Sequence, residues 1–422
     1  MSRMRYILFT VIAVMASAVS ASRPADTMTG IFNDRIRSLQ IRPEGARFGP
    51  PIILLDSPDR IRIDFDHLAE DREYFRYSLT HCTATWQPSG LVDSEFIDGF
   101  NEGTIDNFDY SQATTTHYVH YSLTIPNEQT KPLISGNYLL KIYPEDAPDS
   151  TVVQCRFMVS EQTAPVAADV SPRTDVDFNN SHQQVSVIVD TERAAVDDPF
   201  NDLLVVVQQN GRLDNEVAVR QPLRVAGTKA IFEHLRPLIF DAGNEYRRFE
   251  IVSTEYPGMG VDDIGYASPY YHFRLAEDQS RAGEPYLYDS TQHGGFVIRE
   301  YNSSDSDTEA DYGVVHFSLD YPETPGLMIF LDGDMVQRRF DPASQMFFNN
   351  ATGRYERALL LKQGAYNYQY LAVPPDARRG YTSVIEGDKY QTVNDYLVKV
   401  YHRRRGERYD RLIGVGTTVS DH

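Results

Sequence analysis

Short runs in which apolar and polar residues alternate recur along most of this chain. The run Ile61 to Asp66 is the clearest, because Ile61, Ile63 and Phe65 fall on one face of an extended strand and charged residues fall on the other. Clusters of Asp, Asn, Gly and Pro separate such runs at the spacing typical of β-sandwiches. Helical periodicity is nearly absent, so the pattern predicts an all-β fold. Further strands are predicted at 74–80, 118–125, 138–143, 152–159, 184–189, 203–208, 249–253, 270–275, 314–319, 327–331, 358–361, 366–371 and 396–401.

A glycine turn opens a strand and places a tyrosine at its start three times, at Tyr138, Tyr246 and Tyr366. This arrangement is typical of the tyrosine corner, in which the phenol bonds the backbone of the turn. The three turns lie about one domain length apart, so we predict three tandem β-sandwiches of immunoglobulin-like or early-set-like type. The predicted divisions are a signal peptide at 1–21, an N-terminal sandwich at 22–162, a middle sandwich at 163–280, a linker with a hairpin at 281–312, a C-terminal early-set-like sandwich at 313–405 and a basic C-terminal tail at 406–422.

The first 21 residues have the composition of a secretory signal peptide. Arg3 and Arg5 precede an apolar stretch from Tyr6 to Ala16, and small residues follow at 19–21. No second apolar run approaches the ~20 residues that a transmembrane helix needs. No cysteine lies near the cleavage point to carry a lipid. We therefore expect an exported protein that is released without an anchor in the membrane.

The charge balance narrows the class of partner. The full chain carries a net charge of −20. Removing residues 1–21 takes away two arginines and no acid, which leaves −22. Nucleic acids and anionic membrane surfaces would repel such a protein. The composition therefore excludes nucleic-acid binding and favours a partner with a basic or polar face.

The two cysteines, Cys82 and Cys155, both lie in predicted strands of the first sandwich. In an oxidising compartment an even pair can form one disulfide, which is the pairing we expect here. Two separate buried thiols are the alternative that the sequence leaves open.

Few residues are arranged for catalysis or metal binding. His117 and His120 are three positions apart in a predicted strand, so they point to opposite faces and are poor co-ligands. The acidic run at 305–311 resembles a calcium loop, but Ala310 stands where the EF-hand requires glycine. We read this run as a solvated acidic linker. No nucleophile elbow or phosphate-binding loop is present, so we expect no enzyme activity, no cofactor and no metal.

Two segments are candidates for contact with a partner. The segment from Trp86 to Tyr110 is long for a sandwich loop and combines aromatic with acidic residues, a composition that suits an interface hot spot. Alternatively, its rings cover the open edge of their own sandwich. The C-terminal segment holds a basic cluster that can dock on an acidic partner or pair with the acids of this protein. The candidate interface residues are Phe96, Phe100, Phe108, Tyr110, Arg405, Arg408 and Arg411.

Six collinear stretches resemble the plug protein family of the type IX secretion system, long catalogued as a domain of unknown function. The likeness runs from about residue 30 to residue 415. The turn Arg403-Arg404-Arg405 departs from it, because the family has a less basic turn there. The stretches that carry the resemblance are 81–111, 123–143, 302–319, 359–371, 386–401 and 406–415.

This resemblance implies a non-enzymatic periplasmic plug. Such a protein sits at the inner face of the outer membrane and seals the large outer-membrane β-barrel translocon when the barrel is not engaged in export. It implies contact with the membrane only through that protein partner, and a monomer when free. The alternative is a periplasmic carbohydrate-binding or polysaccharide-processing accessory protein. Sugar-binding sandwiches stack sugars on exposed tryptophan, and Trp86 is the one tryptophan of the sequence.

Overall fold

A computed structural model describes residues 27–420, so the signal peptide predicted at 1–21 lies outside the described residues. Strands dominate the described chain, and the predicted all-β fold is confirmed. No helix between residues 27 and 420 is long and apolar enough to cross a membrane. The helical pieces are α1 (Asp93–Phe96), α2 (Pro199–Asp202), α3 (Ser306–Glu309) and two 3-10 turns, Arg236–Leu238 and Asp334–Val336.

The first sandwich has two main sheets packed around one core. Its strands are β1 (Gly30–Ile31), β2 (Ile36–Pro43), β3 (Ile52–Leu54), β4 (Ile61–His67), β5 (Phe75–Cys82), β6 (Ile97–Gly99), β7 (Gly103–Thr104), β8 (Phe108–Tyr110), β9 (Val119–Ile125), β10 (Thr130–Pro132), β11 (Gly136–Pro144) and β12 (Val153–Ser160). One sheet has the order β1-β12-β11-β5-β7, with β3 beside β12, and the other has the order β2-β4-β9-β8. Strands β6 and β10 form a separate two-stranded ribbon. Ile61, Ile63 and Phe65 are fully buried between the sheets, as their alternation predicts.

The middle sandwich begins after residue 160. Its strands in this part of the chain are β13 (Val166–Ser171), β14 (His182–Asp190), β15 (Leu203–Gln209), β16 (Val217–Val219), β17 (Arg224–Ala226), β18 (Lys229–Phe232) and β19 (Ile239–Asp241). One of its sheets has the order β13-β14-β18-β17, with β19 beside β14. The second sheet contains β16 and β15 and is incomplete without strands from the end of the chain.

The third sandwich is built on one ten-stranded sheet that folds around its own core. Its order is β20-β29-β26-β27-β28-β25-β22-β21, with β23 beside β25 and β24 beside β29. The strands are β20 (Arg247–Glu250), β21 (Val261–Ala267), β22 (Tyr270–Leu275), β23 (Asp278–Gln279), β24 (Phe296–Ile298), β25 (Tyr312–Asp320), β26 (Met328–Asp332), β27 (Gln345–Asn349), β28 (Arg354–Lys362) and β29 (Gly364–Val373).

The last two strands return to the middle sandwich. Strand β30 (Asp395–His402) pairs antiparallel with β15 on one side and with β31 (Arg411–Val419) on the other. Leu412 and Ile413 are fully buried. The third sandwich is thus inserted between two parts of the middle one. The C-terminal sandwich predicted at 313–405 and the tail predicted at 406–422 are therefore wrong, since β30 and β31 belong to the middle sandwich. A local sequence pattern does not reveal pairing between strands that are far apart in the chain.

The predicted linker at 281–312 is bound tightly to the third sandwich. Arg281 donates hydrogen bonds to the buried Glu386, and the Tyr286 hydroxyl donates to Glu245 Oε1 at 2.7 Å. The hairpin predicted in this segment pairs residues 286–288 with 296–300. It does not form, because strand β24 pairs with β29 instead. Side-chain contacts with distant residues, which a local polarity pattern does not register, hold the segment in place.

Two of the three glycine turns are tyrosine corners. The Tyr138 hydroxyl donates to the carbonyl of Ile134 at 2.8 Å, and the Tyr366 hydroxyl donates to the carbonyl of Lys362, four residues upstream in each case. The third phenol, of Tyr246, instead donates to the Asp332 carboxylate at 3.2 Å. The first and third sandwiches therefore each contain a tyrosine corner, and the glycine turn at Tyr246 does not form one.

The two cysteines are free and buried, which corrects the predicted disulfide. Strand β11 lies between their strands: Cys82 is opposite Asn137 and Cys155 is opposite Leu140. Their Cα atoms are therefore separated by two strand spacings, about 10 Å, across the sheet and by a further three residues, about 10 Å, along it, well beyond the ~7 Å limit for Cα atoms of a disulfide. They also belong to different apolar clusters on the two faces of the sheet.

We expect both thiols to be inert in the folded protein and intact after unfolding. Burial raises the pKa of Cys82 to about 11 and raises that of Cys155 further, and a thiol reacts as its thiolate. Ellman's reagent at pH 8 should therefore detect almost no thiol in the native protein and two thiols in urea without reductant. Detection of no thiol in urea would show that the disulfide exists.

An apolar junction joins the first and middle sandwiches. Leu139 and Met158 on the outer face of the first sandwich pack against Leu204, Tyr401 and Leu412 of the middle one. The Tyr401 hydroxyl also donates to the side chain of Asn137 at 2.7 Å. Buried apolar area of this kind stabilises at about 25 cal/mol per Å², so the two units are fixed against each other.

A buried charged cluster joins the first and third sandwiches. Lys362 Nζ lies 2.6 Å from Asp66 Oδ2 and donates to the carbonyl of Asp307 at 2.6 Å. The Tyr312 hydroxyl donates to the same Asp66 oxygen at 2.6 Å, and His120 Nδ1 lies 2.7 Å from Asp66 Oδ1. Lys362 and Asp66 are each about 1% exposed. We call Asp66, His120, Tyr312 and Lys362 the junction cluster.

The titration of the junction cluster follows from its burial. Burial alone would raise the pKa of Asp66, but Lys362 and His120 outweigh it and hold that pKa below its ordinary value. Burial opposes a charged His120, but its bond to Asp66 raises the pKa of the imidazole. Burial and the nearby Asp66 charge raise the pKa of Tyr312 well above its usual range. The cluster therefore holds the Asp66 carboxylate between two basic side chains, Lys362 and His120.

Candidate partner interface

The long segment from Trp86 to Tyr110 folds as a surface loop with regular pieces. Its helix α1 begins where the Val92 backbone N–H donates to Glu95 Oε2 at 2.8 Å. The chain then enters β6, which pairs antiparallel with β10 so that Asp98 lies opposite Lys131. The pairing fixes the loop as a ribbon on the surface of the first sandwich.

Two of the four predicted aromatic residues face the protein. Phe96 is 2% exposed and packs in the core beside Tyr138. Phe108 is half-buried against Tyr121, and the Arg72 guanidinium lies 4.1 Å from the centre of its ring. Phe96 is therefore not available to a partner, which corrects its assignment to the interface. For these two rings, the alternative that they cover their own sandwich is what the structure shows.

The other two aromatic residues face solvent. Phe100 is 81% exposed at the end of β6, and Tyr110 is 48% exposed at the end of β8. Val92, at the start of α1, is 61% exposed, and Leu133, just after β10, is 45% exposed. The backbone N–H of Phe100 donates to Gln129 and that of Leu133 donates to Phe96, so both side chains lie on the same ribbon. We call Val92, Phe100 and Leu133 the ribbon face.

The sequence pattern did not identify Val92 or Leu133. Leu133 lies more than thirty residues after Phe100, and only the β6–β10 pairing brings the two onto one ribbon. A signal was present in the run from Thr130 to Leu133, where an apolar residue follows a proline outside any predicted strand. Exposed apolar side chains grouped within a polar surface are typical of contact sites.

The basic segment near the C terminus lies beside this loop. Arg408 pairs with Glu95 at 2.7 Å and donates to the carbonyl of Gly90 at 2.9 Å. Arg411 forms two hydrogen bonds with Glu161, the shorter at 2.5 Å. These two side chains bind the acids of their own protein, which was one of the two expectations. Arg405 is exposed at the turn between β30 and β31 and is the one of the three that faces solvent freely.

The acidic run at 305–311 is structural, which corrects its prediction as a solvated linker. Asp305 caps α3 by accepting from the backbone N–H of Asp307 at 3.2 Å. Asp311 accepts from the backbone and hydroxyl groups of Thr115 at 2.8 and 2.6 Å, across the junction with the first sandwich. Within residues 27–420, no three His, Cys, Asp or Glu side chains are placed to hold a metal ion.

A cavity of about 500 Å³ lies where the three sandwiches meet. Two of the cationic side chains that line it already pair with acids. Arg338 pairs with Asp334 at 2.7 Å, and Lys399 pairs with Glu216 at 2.5 Å. The cavity therefore offers these cations little gain from an anionic ligand.

Two known proteins or families match this chain, one over the first sandwich and one over nearly its whole length. A family profile described as the first domain of the type 9 secretion system plug protein matches residues 36–161. The chain is also similar to a hypothetical protein from Parabacteroides merdae, whose crystal structure was solved at 2.30 Å. The two share 41% identity with a TM-score of 0.92, over 93% of this chain and 99% of that one.

Other comparisons add no functional information. An alkylpurine DNA glycosylase from Pseudomonas fluorescens, solved with DNA containing an abasic site analogue, shares 9% identity over 30% of each chain with a TM-score of 0.18, which is too low to indicate a shared fold. No curated protein matches this chain.

Proposed function

We propose that this chain, whose residues 36–161 match the family of type 9 secretion system plug proteins, is a non-enzymatic plug for the outer-membrane β-barrel translocon of that system. In this role it binds the periplasmic opening of the barrel, at the inner face of the outer membrane, and seals it between export events. The observation that carries the proposal is the match of the family profile to residues 36–161, where the ribbon face lies.

The mechanical character of the molecule supports this role. A stopper must keep its shape while it is bound and while it is released. The apolar junction and the junction cluster fix the first sandwich to the other two, and the insertion of the third sandwich ties it to the middle one at both ends. Three units joined by these contacts present one continuous surface to a pore.

The ribbon face is the surface we assign to contact with the barrel. Phe100 supplies a large, exposed apolar side chain, and its burial against the barrel would remove more apolar area from water than that of Val92 or Leu133. Asp98 and Lys131 lie between the apolar side chains, so the face remains soluble when the plug is free. A small apolar centre within a polar surround suits a complex that must form and dissociate.

The carbohydrate-binding alternative finds no support at the tryptophan. Trp86 is 6% exposed, and the Arg156 guanidinium lies 4.3 Å from the centre of its ring. Its face is thus occupied by a side chain of the same protein and is not open to a sugar.

The proposal is tested by capture of the tagged protein from detergent-solubilised outer membrane, followed by mass spectrometry for the type IX barrel. We expect the wild type to recover the barrel and Phe100→Ser to recover it about tenfold less, in keeping with the loss of a hot-spot side chain. Phe178→Ser is the matched control, because Phe178 is 76% exposed on the middle sandwich.

Two results of this capture experiment would count against the proposal. Absence of the barrel from the wild-type capture would contradict the plug function. Equal recovery by Phe100→Ser and Phe178→Ser would leave the function standing and remove the ribbon face from it. Thermal unfolding of both variants should match the wild type, because both side chains lie at the surface.

A further inference from the structure

The cavity where the three sandwiches meet is lined mainly by apolar side chains from all three units. Trp86 and Met158 of the first sandwich form one wall, and Phe296 of the third sandwich belongs to another. Leu397 and Thr417, on the paired strands β30 and β31 of the middle sandwich, form the floor. The volume of about 500 Å³ is within the range of pockets that hold small molecules. We call it the central cavity.

A loop of the first sandwich reaches across the mouth of the central cavity to the third sandwich. The loop joins β2 to β3, and its Phe48 ring lies against Gly295, where an added Cβ atom would come within 2.9 Å of the ring. Phe48 is still 40% exposed. The loop therefore covers part of the cavity and leaves an apolar entrance beside it.

The charges in the central cavity favour a neutral ligand. In addition to Arg338 and Lys399, Arg42 is paired with an acid, at 2.7 Å from Asp64, and Arg47 is exposed to solvent at the mouth. The lining also includes the carboxylates of Asp334 and Asp395. An anionic ligand would therefore bring its charge near these acids and find the buried cations already paired.

The buried Lys399 ammonium has hydrogen-bonding capacity that the protein does not use. Its side chain is 3% exposed, and its Nζ has one acceptor among the described residues, Glu216 Oε2 at 2.5 Å. An ammonium group has three donors, so two remain without an acceptor. Buried donors are nearly always bonded. A neutral oxygen of a ligand would bond Lys399 and add no second negative charge.

The backbone around the central cavity is unusually constrained. Of the thirteen non-glycine residues between 27 and 420 that have a left-handed backbone, five line this cavity. Such conformations are costly for bulky residues, and they concentrate where a protein holds a ligand. The five are Trp86, Asn210, His293, Gln337 and Arg338.

We propose that the central cavity binds a neutral acyl ester, with its hydrocarbon chain along the apolar walls and its carbonyl oxygen accepting a hydrogen bond from Lys399 Nζ. An ester carbonyl accepts hydrogen bonds and has no N–H or O–H group that would need a partner in turn. A long chain, unlike a compact group, reaches the apolar surface of all three sandwiches. The inference is independent of the plug function, because it assigns a small-molecule site away from the ribbon face.

The test uses Trp86 as an internal reporter, because it is the one tryptophan of the chain and it lines the cavity. The full chain is titrated with glycerol monolaurate and, separately, with laurate, both below their critical micelle concentrations, while Trp86 fluorescence is recorded. Thr417→Phe places a ring in the cavity, and Ala358→Phe, at an exposed position of β28, is the matched control. Lys399→Met removes the donor and keeps an unbranched side chain.

We expect glycerol monolaurate to give the same saturable change in fluorescence with the wild type and Ala358→Phe. It should bind Thr417→Phe about tenfold more weakly, because the ring takes up space in the cavity. It should also bind Lys399→Met about tenfold more weakly, in keeping with the loss of a hydrogen bond to a charged group. Laurate should bind the wild type more weakly than the ester does.

The absence of a saturable change with the wild type, or equal binding by Thr417→Phe and Ala358→Phe, would overturn the proposal. Equal binding by Lys399→Met and the wild type would overturn the contact with the carbonyl oxygen, and tighter binding of laurate would overturn the neutral head group. Thermal unfolding of each variant without ligand separates these results from misfolding.

Discussion

Replacing Lys362 by methionine is expected to destabilise the protein by about 3–5 kcal/mol, the usual cost of leaving a buried charge without its partner. Lys362 Nζ lies 2.6 Å from Asp66 Oδ2, and both side chains are almost fully buried between the first and third sandwiches. Methionine fills similar space but removes Lys362 from the Asp66 carboxylate, so that His120 is the one basic side chain of the junction cluster left beside it. The free energy of unfolding in urea at pH 7 measures the loss.

Matched variants show whether the loss comes from the charge. Lys399→Met is the control, because Lys399 is also buried but its partner Glu216 is 21% exposed and can be solvated, so its loss should be smaller. Adding Asp66→Asn to Lys362→Met should recover part of the stability, since the uncompensated charge is then gone. A cost below about 1 kcal/mol for Lys362→Met would contradict the charged junction.

The loss of stability caused by Lys362→Met should become smaller as the pH falls. The folded pKa of Asp66 lies below its unfolded value, so its contribution is present above about pH 4 and is lost as the pH falls through the folded pKa. The difference in stability between the wild type and Lys362→Met should therefore narrow in acid. A constant difference from pH 7 to pH 3 would show that Asp66 does not depend on Lys362.

Ending the chain at Gly406 is expected to abolish folding of the middle sandwich. The truncation removes β31, which pairs with β30 along its length. It also removes Leu412 and Ile413, both fully buried, and the carbonyl of Ile413 that accepts from the backbone N–H of Ala164 at 2.9 Å. Without these residues, β30 becomes an open edge and two apolar clusters lose a wall. Insoluble protein, or rapid proteolysis between 161 and 242, is the expected result.

Point variants test the same feature in a chain that still folds. Ile413→Ala should cost about 2–5 kcal/mol, and Thr417→Ala, at an exposed position of the same strand, should cost less than about 0.5 kcal/mol. A truncated chain that unfolds at the temperature of the full protein would mean that the segment after Gly406 is the independent tail that its local sequence indicates.

Local patterns predicted the strands well and their partners poorly. The alternation at Ile61–Asp66 identifies β4 and its core face, because burial of one face imposes a period of two. The same alternation assigns Asp66 to solvent, whereas the third sandwich covers that face and supplies Lys362. The sequence contains no local record of a contact between residues almost three hundred positions apart.

In the candidate interface, too, the local sequence located the segment but not the contacts of its side chains. Composition located the loop between Trp86 and Tyr110, but it could not separate Phe96 in the core from Phe100 at the surface. Four residues apart and identical in chemistry, the two differ only because α1 turns one ring inward and the β6–β10 pairing turns the other outward. The basic residues were found by charge, yet Arg408 and Arg411 are bound by Glu95 and Glu161 of the same chain.

The most direct test of the plug function is the permeability of the outer membrane. Cells that lack this protein should admit a large antibiotic that the intact outer membrane excludes, such as vancomycin, and become several-fold more sensitive to it. The wild-type gene should restore resistance, and a gene carrying Phe100→Ser should restore it only in part. Unchanged sensitivity of the deletion strain, in cells shown to contain the barrel, would contradict the account.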